Sequence, residues 1–315
     1  MDASDLRIFE AAARTGNITK AATILNTVQS NVTARIRSLE GELRVLLFHR
    51  NPRGVTLTIA GQRLLPYARR VLQLIAEAKV AVDESADPCG QLIVGTLETT
   101  AAMRLPPVLT AYRRRFPQVD LSLRTATTSD LIEDVLQHRL EGAFVAGPVH
   151  HPDLIEDVMF PEDLVLITPR SGPSFDQLVR TGAAEIIVLR VGCSYRQRLE
   201  MILGTQGITN IRRLELGTLE GIIGLVSAGI GISLLPRVMV AAALRERRIS
   251  VQELDPAQSR VDTVFIRRRD SFYSTALSEL VELMKRTHRQ TMVAAPITTL
   301  PRTAAGRARI AVPSR

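Results

Sequence analysis

NITKAATILNTVQSNVTARIRSLE, residues 17 to 40, reads as two short helices joined by a tight turn. Asn17 can cap the first helix through its side-chain oxygen, and Ala21, Ala22 and Leu25 give that helix a small apolar face. Asn26-Thr27 breaks it before Val28 opens the second. Such a pair makes a helix-turn-helix. With Val32 as origin and about 100° per residue, Val28, Ile36, Leu39 and Leu43 fall within roughly 40° and predict one buried stripe. The other face is small, polar and basic. Gln29, Ser30, Asn31, Thr33, Arg35 and Arg37 are its candidate DNA contacts, with Ala34 and Ser38 among them. An amide can pair with adenine, hydroxyls reach phosphate or thymine, and an arginine meets a guanine edge or a phosphate. Short side chains let such a helix sit close to the groove floor.

A merely solvated amphipathic helix would carry the same stripe, and charge distribution separates the two readings. The chain has a net charge of +8. Residues 1 to 75 hold 11 Lys/Arg and 5 Asp/Glu, and residues 285 to 315 hold 7 basic and no acidic residues, so the middle is net acidic. Basic character thus coincides with the helix pair, as phosphate neutralisation requires. The tail, residues 291–315, has Pro296, Pro301 and Pro313 among Ala, Thr and Arg and is expected to be disordered.

Working outward, LLFHRNPRGVTLT places two extended runs around Asn51-Pro52-Arg53-Gly54, a hairpin signal. A hairpin beside a helix-turn-helix makes a wing, with Arg50 and Arg53 at its tip placed for backbone or a narrow minor groove. A long helix is expected from Thr58, its cap, to about Ser85. Leu64, Ala68, Val71, Ile75, Ala78 and Val82 recur along it at heptad spacing. That seam wants a partner helix, and Pro66 is expected to bend the axis, since an interior proline costs roughly 3 kcal/mol. Asp87-Pro88-Cys89-Gly90 reads as a hinge.

From Gln91 the texture becomes α/β. QLIVGT, VDLSLRTA, GAFVAG, DLVLIT, EIIVL, RRLEL, GISLLP, ISVQEL and TVFIR read as strands of parallel sheets, separated by helices near 105–115, 129–138, 194–204, 218–228 and 274–287. Two alternating sets predict two lobes, with a crossing near Pro161 to Asp163. Ligands of open α/β sheets sit beyond the carboxyl ends of the strands, near helix amino termini that favour anions. That rule nominates Thr99, Thr100, Thr127, Thr128, Cys193, Ser194, Tyr195 and Thr218. Each can also be read as a helix cap, and together they outline a hydroxyl-lined cleft suited to a carboxylate or another small anion.

The order of these elements, with NITKAATILNTVQSNVTARIRSLEGEL, RGVTLTIAG, LLPYARRVL and the late ELGTLEGIIGLVSAGIGISLLP, resembles the LysR-type transcriptional regulators from about residue 3 to 290. The resemblance implies a winged helix-turn-helix (1–58), a dimerising linker helix (59–87) and a two-lobed effector domain like periplasmic binding proteins. Lobe I is expected over 91–161 plus 268–290 and lobe II over 162–267. It also implies tetramers that bend promoter DNA. The chain departs from the family pattern at Ala34, where a basic or amide side chain is usual, and at Arg44, where a glycine usually closes the recognition helix.

Other classes find little in the sequence. There is no G-x-x-x-x-G-K-[ST], no G-x-S-x-G and no clean G-x-G-x-x-G after a strand. The five histidines are scattered, and His150-His151 lacks a third ligand at metal spacing. Two cysteines give no disulfide framework; a thiol sensor at Cys193 is the one redox reading. No apolar run approaches the roughly 18 residues that span a bilayer, and the opening segment does not read as an export signal. The expectation is a cytoplasmic, non-enzymatic regulator without metal or cofactor. Its expected partners are double-stranded promoter DNA at a partly palindromic site, a small-molecule effector and further copies of itself in a dimer or tetramer; RNA polymerase is a further candidate. The alternative is an α/β enzyme carrying a regulatory helix-turn-helix.

Overall fold

The computed structural model describes residues 1–51, 54–81, 88–173 and 175–294. Arg53, Val82, Ser85, Asp87 and the tail beyond 294 lie outside the described residues.

Helix α1 (Ala3–Thr15) starts at a capping box in which Asp2 accepts from the Asp5 amide at 2.8 Å and Asp5 returns the bond at 3.0 Å. Asn17 caps α2 (Ile18–Ile24) by accepting from the Lys20 amide at 3.1 Å. Helix α3 (Gln29–Leu43) buries Val32, Ile36 and Leu39 against Phe9, Ala12, Ala21 and Ala22. Two members of the expected stripe depart from it. Val28 is the N-cap, with extended backbone at φ −92° and ψ 150°, so the 100° rule does not apply there and its side chain is 65% exposed. Leu43 is the last helical residue, past the edge of the core, and is also exposed. Arg44 itself takes the left-handed conformation, φ 55°, that ends the helix, doing what glycine does at lower steric cost.

Strands β1 (Phe48–Asn51) and β2 (Gly54–Leu57) pair antiparallel as the wing. The Val55 amide donates to the Gly16 carbonyl at 2.9 Å, fastening the hairpin to the end of α1. Gly54 is required there: at φ 141°, an added Cβ would lie 2.2 Å from the Gly16 oxygen.

Thr58 caps α4 (Ile59–Ala81) by accepting from the Gly61 amide, and the helix runs on through Pro66. The heptad seam divides. Ala68 is fully buried and Leu64, Leu65 and Leu72 pack on the core of the helix-turn-helix, whereas Tyr67, Val71, Leu74 and Ala78 stay exposed. Of the expected seam, Leu64 and Ala68 are thus used within their own domain, Val71 and Ala78 are exposed and Ile75 is half-buried, while Tyr67 and Leu74 form an exposed stripe beside it.

The α/β part comprises β3 (Gly90–Thr96), α5 (Glu98–Met103), α6 (Leu105–Arg115), β4 (Val119–Thr125), α7 (Thr128–Leu136), β5 (Gly142–Ala146) and β6 (Leu154–Pro169). It continues with α8 (Phe175–Thr181), β7 (Ala183–Val188), α9 (Ser194–Thr205), β8 (Asn210–Glu215), α10 (Leu219–Ser227) and β9 (Ser233–Pro236). It ends with α11 (Arg237–Arg245), β10 (Ile249–Gln252), α12 (Pro256–Ser259), β11 (Arg260–Arg268) and α13 (Thr275–Ala294). The nine expected strands are present, but α5, α8, α11 and α12 were not expected. The sheets are mixed rather than parallel. β3 pairs parallel with β4 and β5, and β7 parallel with β8, while β5–β11, β6–β11, β6–β10 and β6–β9 are antiparallel.

The expected lobe boundary moves. β6 is one continuous strand whose first part, to Asp163, pairs with β11, and whose remainder pairs with β9 and β10, so the first crossing lies inside a strand. β11 pairs along its whole length with β5 and β6 of lobe I. The chain thus returns to lobe I at Arg260, not at residue 268. Helix α13 completes that lobe, with Leu277, Leu280, Val281 and Met284 packed on Tyr112, Phe144, Phe160 and Phe265.

Candidate functional site

The exposed face of α3 presents Gln29, Ser30, Asn31, Ala34, Arg37 and Ser38, with Thr33 half-buried beside them. Asn31 donates to the Thr27 hydroxyl at 2.9 Å, a contact inside the motif that fixes its amide. Arg35 is placed differently. Its guanidinium meets Asp5 at 2.8 Å and Asp2 at 3.4 Å, so it ties α3 to the start of α1 instead of facing outward. A residue two positions from Thr33 and Arg37 lies about 200° away on a helix, which is why the list of outward residues could not include all three. Arg50 on the wing lies 3.5 Å from Glu40 and remains half-exposed.

Sequence reasoning missed Glu40. It is 6% exposed, and one of its oxygens accepts the amides of Leu47 at 2.9 Å and Phe48 at 3.2 Å, joining the recognition helix to the root of the wing.

Between the lobes lies a cleft of about 290 Å³. It is built where four parallel strands end: Leu97 and Glu98 follow β3, Thr125 to Thr127 close β4, Leu189 and Arg190 follow β7, and Leu216 and Gly217 follow β8. This is the position the carboxyl-end rule assigns to ligands. Of the sequence-nominated residues, Thr99, Thr127, Cys193 and Tyr195 line it. Thr99 and Tyr195 approach each other across the lobes at 3.4 Å. Thr127 caps α7 and donates to Asp130 at 2.8 Å. Thr128 and Ser194 bond to each other at 3.0 Å and line a second, neighbouring hollow with His150 and His151. Thr100 is buried and Thr218 is exposed as the cap of α10; neither lines the cleft.

Two charged residues of the lining, Glu98 and Arg190, were not nominated. Burial pushes the Glu98 carboxyl above the usual carboxylate range, with the nearby Leu219 amide of the other lobe acting in the opposite direction. Burial likewise raises the Cys193 thiol, so that it stays protonated at neutral pH and is a poor nucleophile. Tyr195 is held far above its ordinary value, also by burial, and acts as a neutral hydroxyl. Among the described residues no group of His, Cys, Asp or Glu could hold a metal ion, and no helix is long and apolar enough to cross a membrane.

The chain matches two family descriptions: the bacterial regulatory helix-turn-helix protein of the lysR family over residues 3–62, and the LysR substrate binding domain over residues 85–289. It is 44% identical over 280 residues to the HTH-type transcriptional regulator GltR of Bacillus subtilis (strain 168), covering 89% of this chain and 95% of that protein. It is 43% identical over 282 residues to the regulator YofA of the same organism, covering 90% and 98%. Among solved structures, full-length CbnR complexed with its target DNA is 25% identical, with a TM-score of 0.61, covering 91% of this chain and 100% of that one. A full-length OxyR variant from Pseudomonas aeruginosa shares the fold at 20% identity with a TM-score of 0.71, covering 90% and 95%. A winged helix-turn-helix, a linker helix and a two-lobed domain in this order, matched by both family descriptions across most of the chain, make this protein a member of the LysR family of DNA-binding transcriptional regulators.

Proposed function

We propose that the protein regulates transcription from partly palindromic promoter sites, that it does so as a dimer or tetramer held by α4, and that a small molecule in the interlobe cleft sets its quaternary arrangement. The observation that carries this reading is the exposed face of α3, where Gln29, Ser30 and Arg37 stand free of the domain core with Thr33 half-buried at its rim. Full-length CbnR, solved with its target DNA, is matched over its whole length by this chain. Promoter DNA and RNA polymerase are the macromolecular partners of this reading, and its location is the cytoplasm. The α/β-enzyme alternative gains nothing from the relatives named above, which are transcriptional regulators.

Assembly follows from an exposed stripe on α4 that carries Val71 of the expected seam and, beside it, Tyr67 and Leu74. Tyr67 is 68% and Leu74 50% exposed, with Val71 beside them. A stripe of this kind along a long helix is stabilised by a second copy. Replacing Val71 and Leu74 together with glutamate is expected to shift the protein to monomers in sedimentation velocity and to weaken site binding. An unchanged mass would place the interface elsewhere.

The cleft and α4 are joined by a rigid element. Helix α7 begins at Thr127 in the cleft and ends at Leu136, whose carbonyl accepts from Arg268 at 3.0 Å. Arg268 holds Asp270 at 2.8 Å, and Asp270 pairs with Arg70 of α4 at 2.9 Å. A shift of α7 on ligand binding therefore bears on the linker helix, and the coupling between effector and DNA must be reciprocal.

The direct test is retention of sheared genomic DNA at physiological salt, followed by sequencing. Sharp peaks over partly palindromic promoter sites are expected. Diffuse retention that disappears with added salt would reduce the protein to a nonspecific basic binder and overturn the reading.

A further inference from the structure

The lining of the cleft carries one acid and one base, and they stand on different lobes. Glu98, half-buried at the start of α5, stands near the Leu219 amide at the amino terminus of α10. Arg190, just past β7, is exposed and pairs with no acid among the described residues. The two charges influence each other without forming an ion pair. Between them the walls are apolar, formed by Leu97, Leu189 and Leu216.

This arrangement discriminates between ligand classes. An anion alone would answer Arg190 but meet the Glu98 carboxylate. A cation alone would do the reverse. A neutral ligand would cover the half-buried Glu98 and the Arg190 guanidinium without pairing either. A molecule bearing both charges satisfies both lobes at once, and a cleft near the lower end of the small-molecule range suits one of modest size. We infer that the cleft takes a small zwitterion of the amino-acid class, its carboxylate on Arg190, its ammonium on Glu98 and its apolar side chain against Leu97, Leu189 and Leu216. The inference rests on the reading of the cleft as the effector site. Each end of the zwitterion would be held by a different lobe, so its binding would favour whichever lobe arrangement brings Glu98 and Arg190 to both ends at once.

The test uses the full chain, calorimetric titration and thermal melting. The probes are the apolar L-amino acids and, for leucine, 4-methylpentanoate, which lacks the amine, and 3-methylbutylamine, which lacks the carboxylate. At least one amino acid is expected to bind and raise the melting temperature, with both truncated analogues at least 10-fold weaker. Glu98→Gln should weaken the amino acid about 10-fold while leaving 4-methylpentanoate unaffected or improved, and Arg190→Gln should weaken both acids. If 4-methylpentanoate binds wild type as tightly as leucine, or no amino acid binds, the zwitterion inference fails. Ala126→Phe, which fills the cleft, separates that failure from the other one: amino-acid binding that survives this change would remove the ligand from the cleft and sink the effector-site reading itself. An unaltered melting temperature of each ligand-free variant controls for misfolding.

Discussion

Thr33→Glu is expected to lower affinity for the specific site by 100-fold or more, about 2.7 kcal/mol, while the circular dichroism of the free protein stays unchanged. Thr33 is half-buried at the rim of the exposed face of α3, one turn from Arg37 and one turn from Gln29. Glutamate is a good helix former, so the substitution leaves the helix itself intact. Its cost falls in the complex, where a carboxylate must lose water beside phosphates and base edges that offer it no cation. The measurement is fluorescence anisotropy on the recovered site with wild type and variant at identical salt, because phosphate binding alone can change affinity by orders of magnitude between salt concentrations. Thr33→Ser is the companion variant: it keeps the hydroxyl and should stay within a few-fold of wild type. Equal affinity of the glutamate variant would mean that another face of α3 enters the groove.

Much of this molecule was legible in periodicity. The stripe Val32, Ile36, Leu39 is buried, Asn17 and Thr58 cap the helices they were expected to cap, and the nine strand runs of the α/β region are strands. Misplacements came where local geometry departs from the regular repeat or where pairing is long-range. Val28 sits on the helical wheel only if it is helical, and as an N-cap it is not. The run LIEDVMFPE loses its alternation at a register shift opposite Thr263 and Val264, where Met159 falls outside the ladder and both Met159 and Phe160 are buried, so only DLVLIT was legible as strand. The return to lobe I at Arg260 depends on which strands β11 pairs with, information that no local pattern contains.

The carboxyl-end rule leads to this cleft, and hydroxyls make up only part of its lining. Searching strand ends for hydroxyls brought in Thr99, Thr127, Cys193 and Tyr195, which line it, but also Thr100 and Thr218, which do not. Thr218 is spent on the Gly221 amide and Thr100 points into the lobe, outcomes that a helix-capping or core role accounts for. Glu98 and Arg190 obey the same rule, each two residues past the end of a strand, but a search for hydroxyls does not reach them. Charge at a strand end distinguishes one ligand class from another, which a hydroxyl does not.

Glu40→Leu is expected to destabilise the winged helix-turn-helix by about 2–4 kcal/mol and to abolish site binding. The reason lies in a single oxygen: it accepts both the Leu47 and the Phe48 amides, in a place where Glu40, Leu47 and Phe48 are all buried. Leucine fills a similar volume but accepts nothing, and each buried N–H left unpaired costs about 1–3 kcal/mol. Domains are stable by only about 5–15 kcal/mol, so a loss of this size is a large part of what holds so small a unit together. The damage should concentrate at the root of β1, because Phe48 both donates one of these bonds and packs its ring 5.4 Å from Phe9. Glu40→Gln separates the acceptor from the charge. Its amide oxygen can still take both N–H groups, and only the pairing with Arg50, at 3.5 Å and half-exposed, is lost, worth no more than about 1 kcal/mol. Hydrogen exchange on the full chain reads the result directly: the Leu47 and Phe48 amides should exchange much faster in the leucine variant and nearly as slowly as wild type in the glutamine variant. Unchanged protection in the leucine variant would mean that the wing is held by its contact with α1 alone, through the Val55 amide on Gly16 and the apolar core beneath it.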